Sequence, residues 1–351
     1  MTVKKLQEII KEKSYQAFLV TNLHNVFYLT NFWASSGAVL VTADISYFMT
    51  DARYILKARE EIQGFEIIET RDFLRQVKGI LDEKNIHKLL FEEDVAYSFY
   101  KQMQLILVDI DLAAASNLVE SLRMIKTPEE IEIIKQACSI SDQAFTDVLN
   151  FITPGKTELE VANFLDFRMR ELGASGVSFE TIVASGKRSS MPHGVASDKK
   201  IEVGDPLTLD FGCYYKHYAS DMTRTIFLGQ PTDEMIEVYN TVLMSNEALI
   251  GQAKSGIKLS DYDLIARQVI ADAGYGDYFT HGIGHGLGID VHEIPYFSKT
   301  SEGFLEADMV VTDEPGIYLD NHFGVRIEDD LLITDNSCEI LTRSSKEIII
   351  L

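Results

Sequence analysis

The stretch His-Gly-Ile-Gly-His-Gly-Leu-Gly-Ile-Asp-Val-His-Glu at 281–293 holds three of the chain's eight histidines, His281, His285 and His292. Glycine at 282, 284, 286 and 288 strips side chains from a segment that must pass close to something, and it permits backbone angles that other residues avoid. A phosphate-binding loop does not fit, because no Gly-Lys-Ser/Thr follows and a G-x-G-x-x-G run after a strand is absent. The imidazoles left between the glycines read as one metal ligand and two hydrogen-bonding groups for a substrate carbonyl. The plainer alternative is a glycine-rich turn with incidental histidines.

Four carboxylates outside that stretch bear on the choice. Asp210 lies in Leu-Thr-Leu-Asp-Phe-Gly, Asp221 in Ser-Asp-Met-Thr-Arg-Thr-Ile-Phe, Glu314 in Val-Val-Thr-Asp-Glu-Pro-Gly and Glu328 in Val-Arg-Ile-Glu-Asp-Asp-Leu-Leu-Ile. Each sits in an apolar, β-branched run, where an uncompensated charge is expensive to bury. Taken singly, each reads as a solvent-facing or Arg-paired strand carboxylate. Meeting in one pocket, the four raise one another's pKa and cannot all ionise unaided. Two dications supply the missing positive charge, with His285 completing a ligand set of Asp210, Asp221, His285, Glu314 and Glu328. Oxygen-rich ligands with one imidazole suit Mn, Co, Zn or Fe, and Mn above the others. The segment 213–220 can fold back as a hairpin, which predicts Asp210 and Asp221 on one face about one strand spacing, ~5 Å, apart. Cys138, Cys213 and Cys338 show no C-x-x-C spacing and read as small apolar residues of a reduced, cytoplasmic protein.

The ordered segments Met-Pro-His-Gly (191–194), Leu-Asp-Phe-Gly (209–212), Ser-Asp-Met-Thr-Arg-Thr (220–225), the 281–293 stretch, Asp-Glu-Pro-Gly-Ile-Tyr (313–318) and Gly-Val-Arg-Ile-Glu-Asp (324–329) resemble the signatures of the pita-bread metallopeptidases, in particular their proline-specific branch. The resemblance implies an α+β fold, with a creatinase-type α/β domain ahead of a pita-bread catalytic domain. It implies two divalent metal ions per subunit: Asp210 on one, His285 and Glu314 on the other, Asp221 and Glu328 bridging. It also gives His193, His281 and His292 as substrate-contacting histidines and Arg326 as a basic residue beside the site. The implied reaction is metal-assisted hydrolysis of the bond between a first residue and proline. Glu314 carries the proton from water to the departing nitrogen, and His281 or His292 stabilises the oxygen that gains charge. The partners implied are short peptides with proline second, and the enzyme is implied to be a homodimer.

Composition agrees with a soluble enzyme. A chain of 351 residues with 46% hydrophobic content exceeds the usual single core. A formal charge of −22 argues against nucleic-acid backbones and anionic membrane surfaces as partners. No signal peptide or membrane span is expected.

Alternating patterns over residues 1–121 predict a small α/β domain. Its helices are expected at 3–13, 52–62, 73–83 and 98–106, and its strands at 17–20, 38–41, 47–49, 65–69 and 88–91. The catalytic domain is expected over 122–351. Thr127-Pro-Glu-Glu and Thr157-Glu-Leu-Glu are capping boxes that open helices to about 150 and 172. Two more helices are expected near 233–253 and 260–273, before a strand-rich segment at 309–351. Trp33 and Phe179 read first as core aromatics, and Arg224 as a partner for a ligand carboxylate.

The segment Glu-Thr-Ile-Val-Ala-Ser-Gly before Met-Pro-His-Gly, with the compact length, tilts the reading to an Xaa-Pro aminopeptidase (aminopeptidase P) over an Xaa-Pro dipeptidase (prolidase). A methionine-aminopeptidase-like enzyme is disfavoured by the leading domain, and a metal-free interaction module by the complete ligand set.

Overall fold

A computed structural model describes residues 2–351, which divide between Arg123 and Met124 into two compact units. In the first unit a six-stranded sheet runs in the order Glu66–Glu69, Ser46–Thr50, Ala38–Thr42, Ala17–Val20, Lys88–Glu92, Asp111–Ala115. Ala38–Thr42 is antiparallel to both neighbours, and the remaining pairs are parallel. Side chains alternate between two cores, as a strand's period of two dictates. Phe18, Val20, Val39, Val41 and Phe48 join Leu6, Val26 and Ala58 on one face, and Leu19, Leu40, Met49 and Leu89 join Val77, Leu81 and Met103 on the other. Helices therefore cover both faces.

The expected elements of this unit are present, the strand 17–20 and the helix 73–83 with the expected bounds and the others with shifted ends; the helix predicted over 52–62 is Ile55–Glu61. The helix Leu23–Thr30 was not anticipated, although Asn22 caps it by accepting from the backbone N–H groups of His24 and Asn25, and left-handed Asn31 ends it. That Asn-to-Asn frame was a readable signal. The strand Asp111–Ala115 and helix Leu118–Arg123 were also missed; the strand's Asp-Leu-Ala-Ala-Ala has little β propensity of its own and forms by pairing with Lys88–Glu92.

The second unit repeats one theme twice. Helices Pro128–Val148 and Glu158–Glu171, each opened by a capping box from Thr127 or Thr157, share a core with the sheet of Met222–Phe227, Pro206–Phe211 and Ile182–Ser185. Helices Asp233–Gln252 and Leu259–Asp272 share the other core with Val310–Asp313, Gly316–Leu319, Phe323–Arg326 and Asp329–Ile333. Of these strands, Val310–Asp313 and Asp329–Ile333 belong to a five-stranded sheet with Glu293–Tyr296, His285–Gly286 and Cys338–Ile340. Among the described residues no helix is long and apolar enough to cross a membrane.

Candidate metal centre

The glycine-rich stretch passes between two strands. A Cβ on Gly284 would meet the Thr312 carbonyl oxygen at 2.2 Å, and one on Gly286 the Ile294 oxygen at 2.4 Å. Backbone therefore packs on backbone here, and His285 emerges from the crowded centre. The Glu314 N–H donates to the Ile283 carbonyl at 2.8 Å, and the Glu328 N–H to that of Thr223 at 3.1 Å. Ordinary main-chain bonding thus draws the carboxylates of separate segments to one wall.

Asp210, Asp221, His285, Glu314 and Glu328 line a single cavity of about 580 Å³, together with His193, His281, His292 and Arg326. Ligand atoms of Asp221, His285 and Glu328 all lie within 4.8 Å of one another. His285 Nε2 stands 3.8 Å from Asp221 Oδ2 and 3.6 Å from Glu314 Oε1. One geometric expectation is corrected. Asp210 faces Thr223 across the strand pair, and Asp221 precedes the paired strand. The two aspartates are thus diagonal on one face, roughly 7–8 Å apart at the backbone, instead of directly opposite. The turn segment makes its own small hairpin, Cys213–Tyr215 with Tyr218–Ala219, which displaces the register.

These residues suit a cation on physical grounds. His285 Nδ1 lies 3.1 Å from the Gly286 carbonyl, which can only accept, so the ring proton sits there and Nε2 presents a lone pair to the carboxylates. Burial, reinforced by His292, lowers the His285 pKa to about 4; the ring is neutral at pH 7 and brings no charge. Burial raises the carboxyl of Asp221 well above its usual range, with Asp210, Asp330 and Glu314 adding repulsion. Glu328 is raised by burial and by Asp221, Glu314 and Asp210. Glu314 rises to about 8, chiefly through burial, against the pull of Arg326. Acceptors face acceptors across less than 4 Å, an arrangement that divalent ions resolve.

Arg326 organises one side of the wall. Its Nη2 donates to Asp210 Oδ2, its Nε to Thr223 Oγ1 at 3.0 Å, and its Nη1 to the Tyr318 hydroxyl at 2.7 Å and the Pro192 carbonyl at 3.2 Å. Thr223 in turn donates to Glu328 Oε2 at 2.6 Å. The Tyr318 hydroxyl lies 2.9 Å from His281 Nε2, while His281 Nδ1 is 2.7 Å from the Gly282 carbonyl. Both nitrogens of His281 are therefore engaged, whereas His193 and His292 are exposed on the cavity wall. Sequence reasoning missed Thr223 and Tyr318, although both stand inside the quoted motifs; a hydroxyl beside a ligand carries no signal until its partner is known.

Arg224, the expected partner of a ligand, instead pairs with Asp329 at 2.7 Å. Trp33 is 40% exposed, not a core residue, and stacks on His24 with ring centroids 5.3 Å apart. Phe179 lines the cavity.

Comparison with known proteins identifies the family. Residues 132–335 match metallopeptidase family M24, and residues 3–125 match the creatinase/prolidase N-terminal domain. The Xaa-Pro dipeptidase of Pyrococcus horikoshii is 38% identical over 350 residues, 99% of this chain and 98% of that protein. The structure of an Xaa-Pro dipeptidase from Bacillus anthracis superposes with a TM-score of 0.97 at 44% identity, covering 100% of this chain and 99% of the other. That of an X-Pro aminopeptidase from Thermotoga maritima gives 0.90 at 38% identity, over 96% and 98%.

Proposed function

The chain belongs to metallopeptidase family M24, built as a creatinase-type N-terminal domain followed by a pita-bread domain, and from that premise we propose that it is an Xaa-Pro dipeptidase. The tilt toward aminopeptidase P is given up, because Xaa-Pro dipeptidases that align over nearly the whole chain support the narrower activity better. The observation that carries the hydrolytic reading is one cavity wall bearing four mutually repelling carboxylates around a neutral imidazole.

In this reading Asp210, Asp221, His285, Glu314 and Glu328 hold two divalent ions, manganese first among the candidates. When bound, the ions supply Lewis-acid polarisation of the peptide carbonyl and lower the pKa of water. Glu314 takes the proton of the attacking water and delivers it to the proline nitrogen as the C–N bond breaks. Its side chain is 20% exposed, against 7% and 8% for Asp221 and His285, so of these three it is the most open to the cavity. His292 donates a hydrogen bond to the carbonyl oxygen as negative charge builds there. His281, with both nitrogens held by Gly282 and Tyr318, fixes the wall that His292 and His193 face. The nitrogen of the bond to be cut is tertiary and offers no N–H, so the proline ring must be recognised by shape, for which Phe179, Ile182 and Val195 supply apolar surface.

The test is a comparison of kcat/KM for an Xaa-Pro dipeptide and the matching Xaa-Pro-Yaa tripeptide. A dipeptidase favours the dipeptide by roughly 100-fold or more; equal rates on both would return the aminopeptidase reading.

A further inference from the structure

Behind the cavity, the segment 341–351 is bound to the strands that carry the carboxylates, and it brings a cation with it. The Leu341 N–H donates to the Asp330 carbonyl at 2.8 Å, and the N–H groups of Phe227 and Leu351 exchange bonds with Ile349 and Phe227 at 2.9 Å. Between these ties, Ser344 gives its carbonyl to Arg224 Nη2 at 2.8 Å, and its N–H is held by Asp142 at 2.7 Å. Lys346 Nζ then reaches Asp329 Oδ2 at 2.6 Å and Asn246 Oδ1 at 2.7 Å.

Asp329 is fully buried, and its carboxylate accepts from Arg224 at 2.7 Å, Thr342 at 3.1 Å, Lys346 at 2.6 Å and Asn246 at 3.4 Å. It directly follows Glu328, whose carbonyl accepts from Arg224 Nη1. The Asp329 N–H donates to Asp313 Oδ1 at 3.1 Å, and Asp313 directly precedes Glu314. Residue 329 therefore joins the two segments: its carboxylate gathers the cations, and its backbone, paired with Asp313 across the strands, lies next to both Glu328 and Glu314.

We propose that Lys346, acting with Arg224 through Asp329, is a positioning residue for the metal centre, so that the segment 341–351 sets how tightly the ions are held. This rests on the reading of Glu314 and Glu328 as metal ligands. A buried carboxylate with both cations in place is rigid; with one cation removed it keeps its burial but loses half of its charge compensation, and the strands can shift. Ligands that must meet an ion within a few tenths of an ångström feel such a shift first.

The test measures Mn²⁺ affinity of the chelator-treated full chain by competition with a chromophoric chelator, alongside its melting temperature. Lys346→Met is expected to weaken binding about 10–100-fold, and Lys346→Arg, which keeps the charge, to stay close to wild type. Leu81→Ala, in a core of the N-terminal unit, lowers the melting temperature without moving the affinity. If Lys346→Met gives no folded protein, Thr342→Val removes a neutral donor to Asp329 together with the acceptor of the Asp330 N–H and is expected to weaken binding severalfold. Wild-type affinity in the folded Lys346→Met, or in Thr342→Val if that is the variant that folds, overturns the proposal. Absence of Mn²⁺ binding by the wild type itself would instead remove the reading of the site.

Discussion

Two sites of this molecule, one in each unit, bury carboxylates in opposite ways. In the N-terminal unit Glu92 is 4% exposed, but its oxygens accept from the backbone N–H groups of Thr21 and Asn22 at 2.6 and 2.8 Å and from Asn25 Nδ2 at 2.8 Å. Burial raises its pKa, and those donors pull it back. In the second unit Asp221 and Glu328 are as deeply buried, yet after burial itself the causes that raise them are other carboxylates. A buried acid surrounded by donors holds loops together. A buried acid surrounded by acids on a cavity wall waits for a cation.

The sharpest way to break this contrast is to remove one acid of each kind. Glu314→Ala is expected to lower kcat on an Xaa-Pro dipeptide by ~10²–10⁴-fold or more, with the fold retained by circular dichroism. Glu92→Gln should leave kcat and KM unchanged. A second test is metal removal: saturating ions at about a thousandfold over Kd add about 4 kcal/mol to stability, read as a fall in melting temperature on chelation. If the carboxylates were hydrogen-bonded as Glu92 is, chelation would change nothing.

The pH dependence of the chelated protein tests the carboxylate wall further. Glu314 and Asp330 are raised to about 8 from 4.5 and 3.8, in both cases mainly by burial. Their folded-state pKa exceeds the unfolded one, so the stability they contribute is present in acid and is lost as pH rises through about 8. His281 and His285 shift the other way, from 6.5 to about 4, and their contribution is lost only as pH falls from 6.5 toward 4. Between pH 6.5 and 8 the carboxylates act alone, so the melting temperature of the chelated chain should fall across that window. With ions bound, which keep Glu314 ionised, the fall should be smaller, Asp330 alone remaining to titrate.

Smaller effects follow from the hydrogen bonds. Tyr318→Phe removes the hydroxyl between Arg326 and His281 and should lower kcat roughly tenfold, the equivalent of ~1.4 kcal/mol, with KM little changed. The smallest change in turnover belongs to Glu92→Gln, whose cost of about 1–3 kcal/mol should appear in thermal unfolding alone.

Much of this was legible in the residues themselves. The capping boxes at Thr127 and Thr157 open their helices as read, because the signal is local and each half satisfies the other. The four acids and the imidazole of the centre could be picked out because charges in β-branched runs demand an explanation. What stayed hidden depends on register and on distant partners. The diagonal placement of Asp210 and Asp221 follows from the extra hairpin at 213–219. The engagement of His281 by Tyr318 joins segments 37 residues apart, and the bond from Lys346 to Asp329 has no sequence signature, since a surface lysine looks the same.

The most direct test is calorimetric titration of Mn²⁺ into the chelated wild-type chain at pH 8. Mutual repulsion relieved by cations predicts saturation at about two ions per chain, with protons released as the raised carboxyls ionise, and a marked loss of affinity in Glu328→Gln. A chain that takes up no ion, or binds one without proton release and equally well in Glu328→Gln, would contradict it.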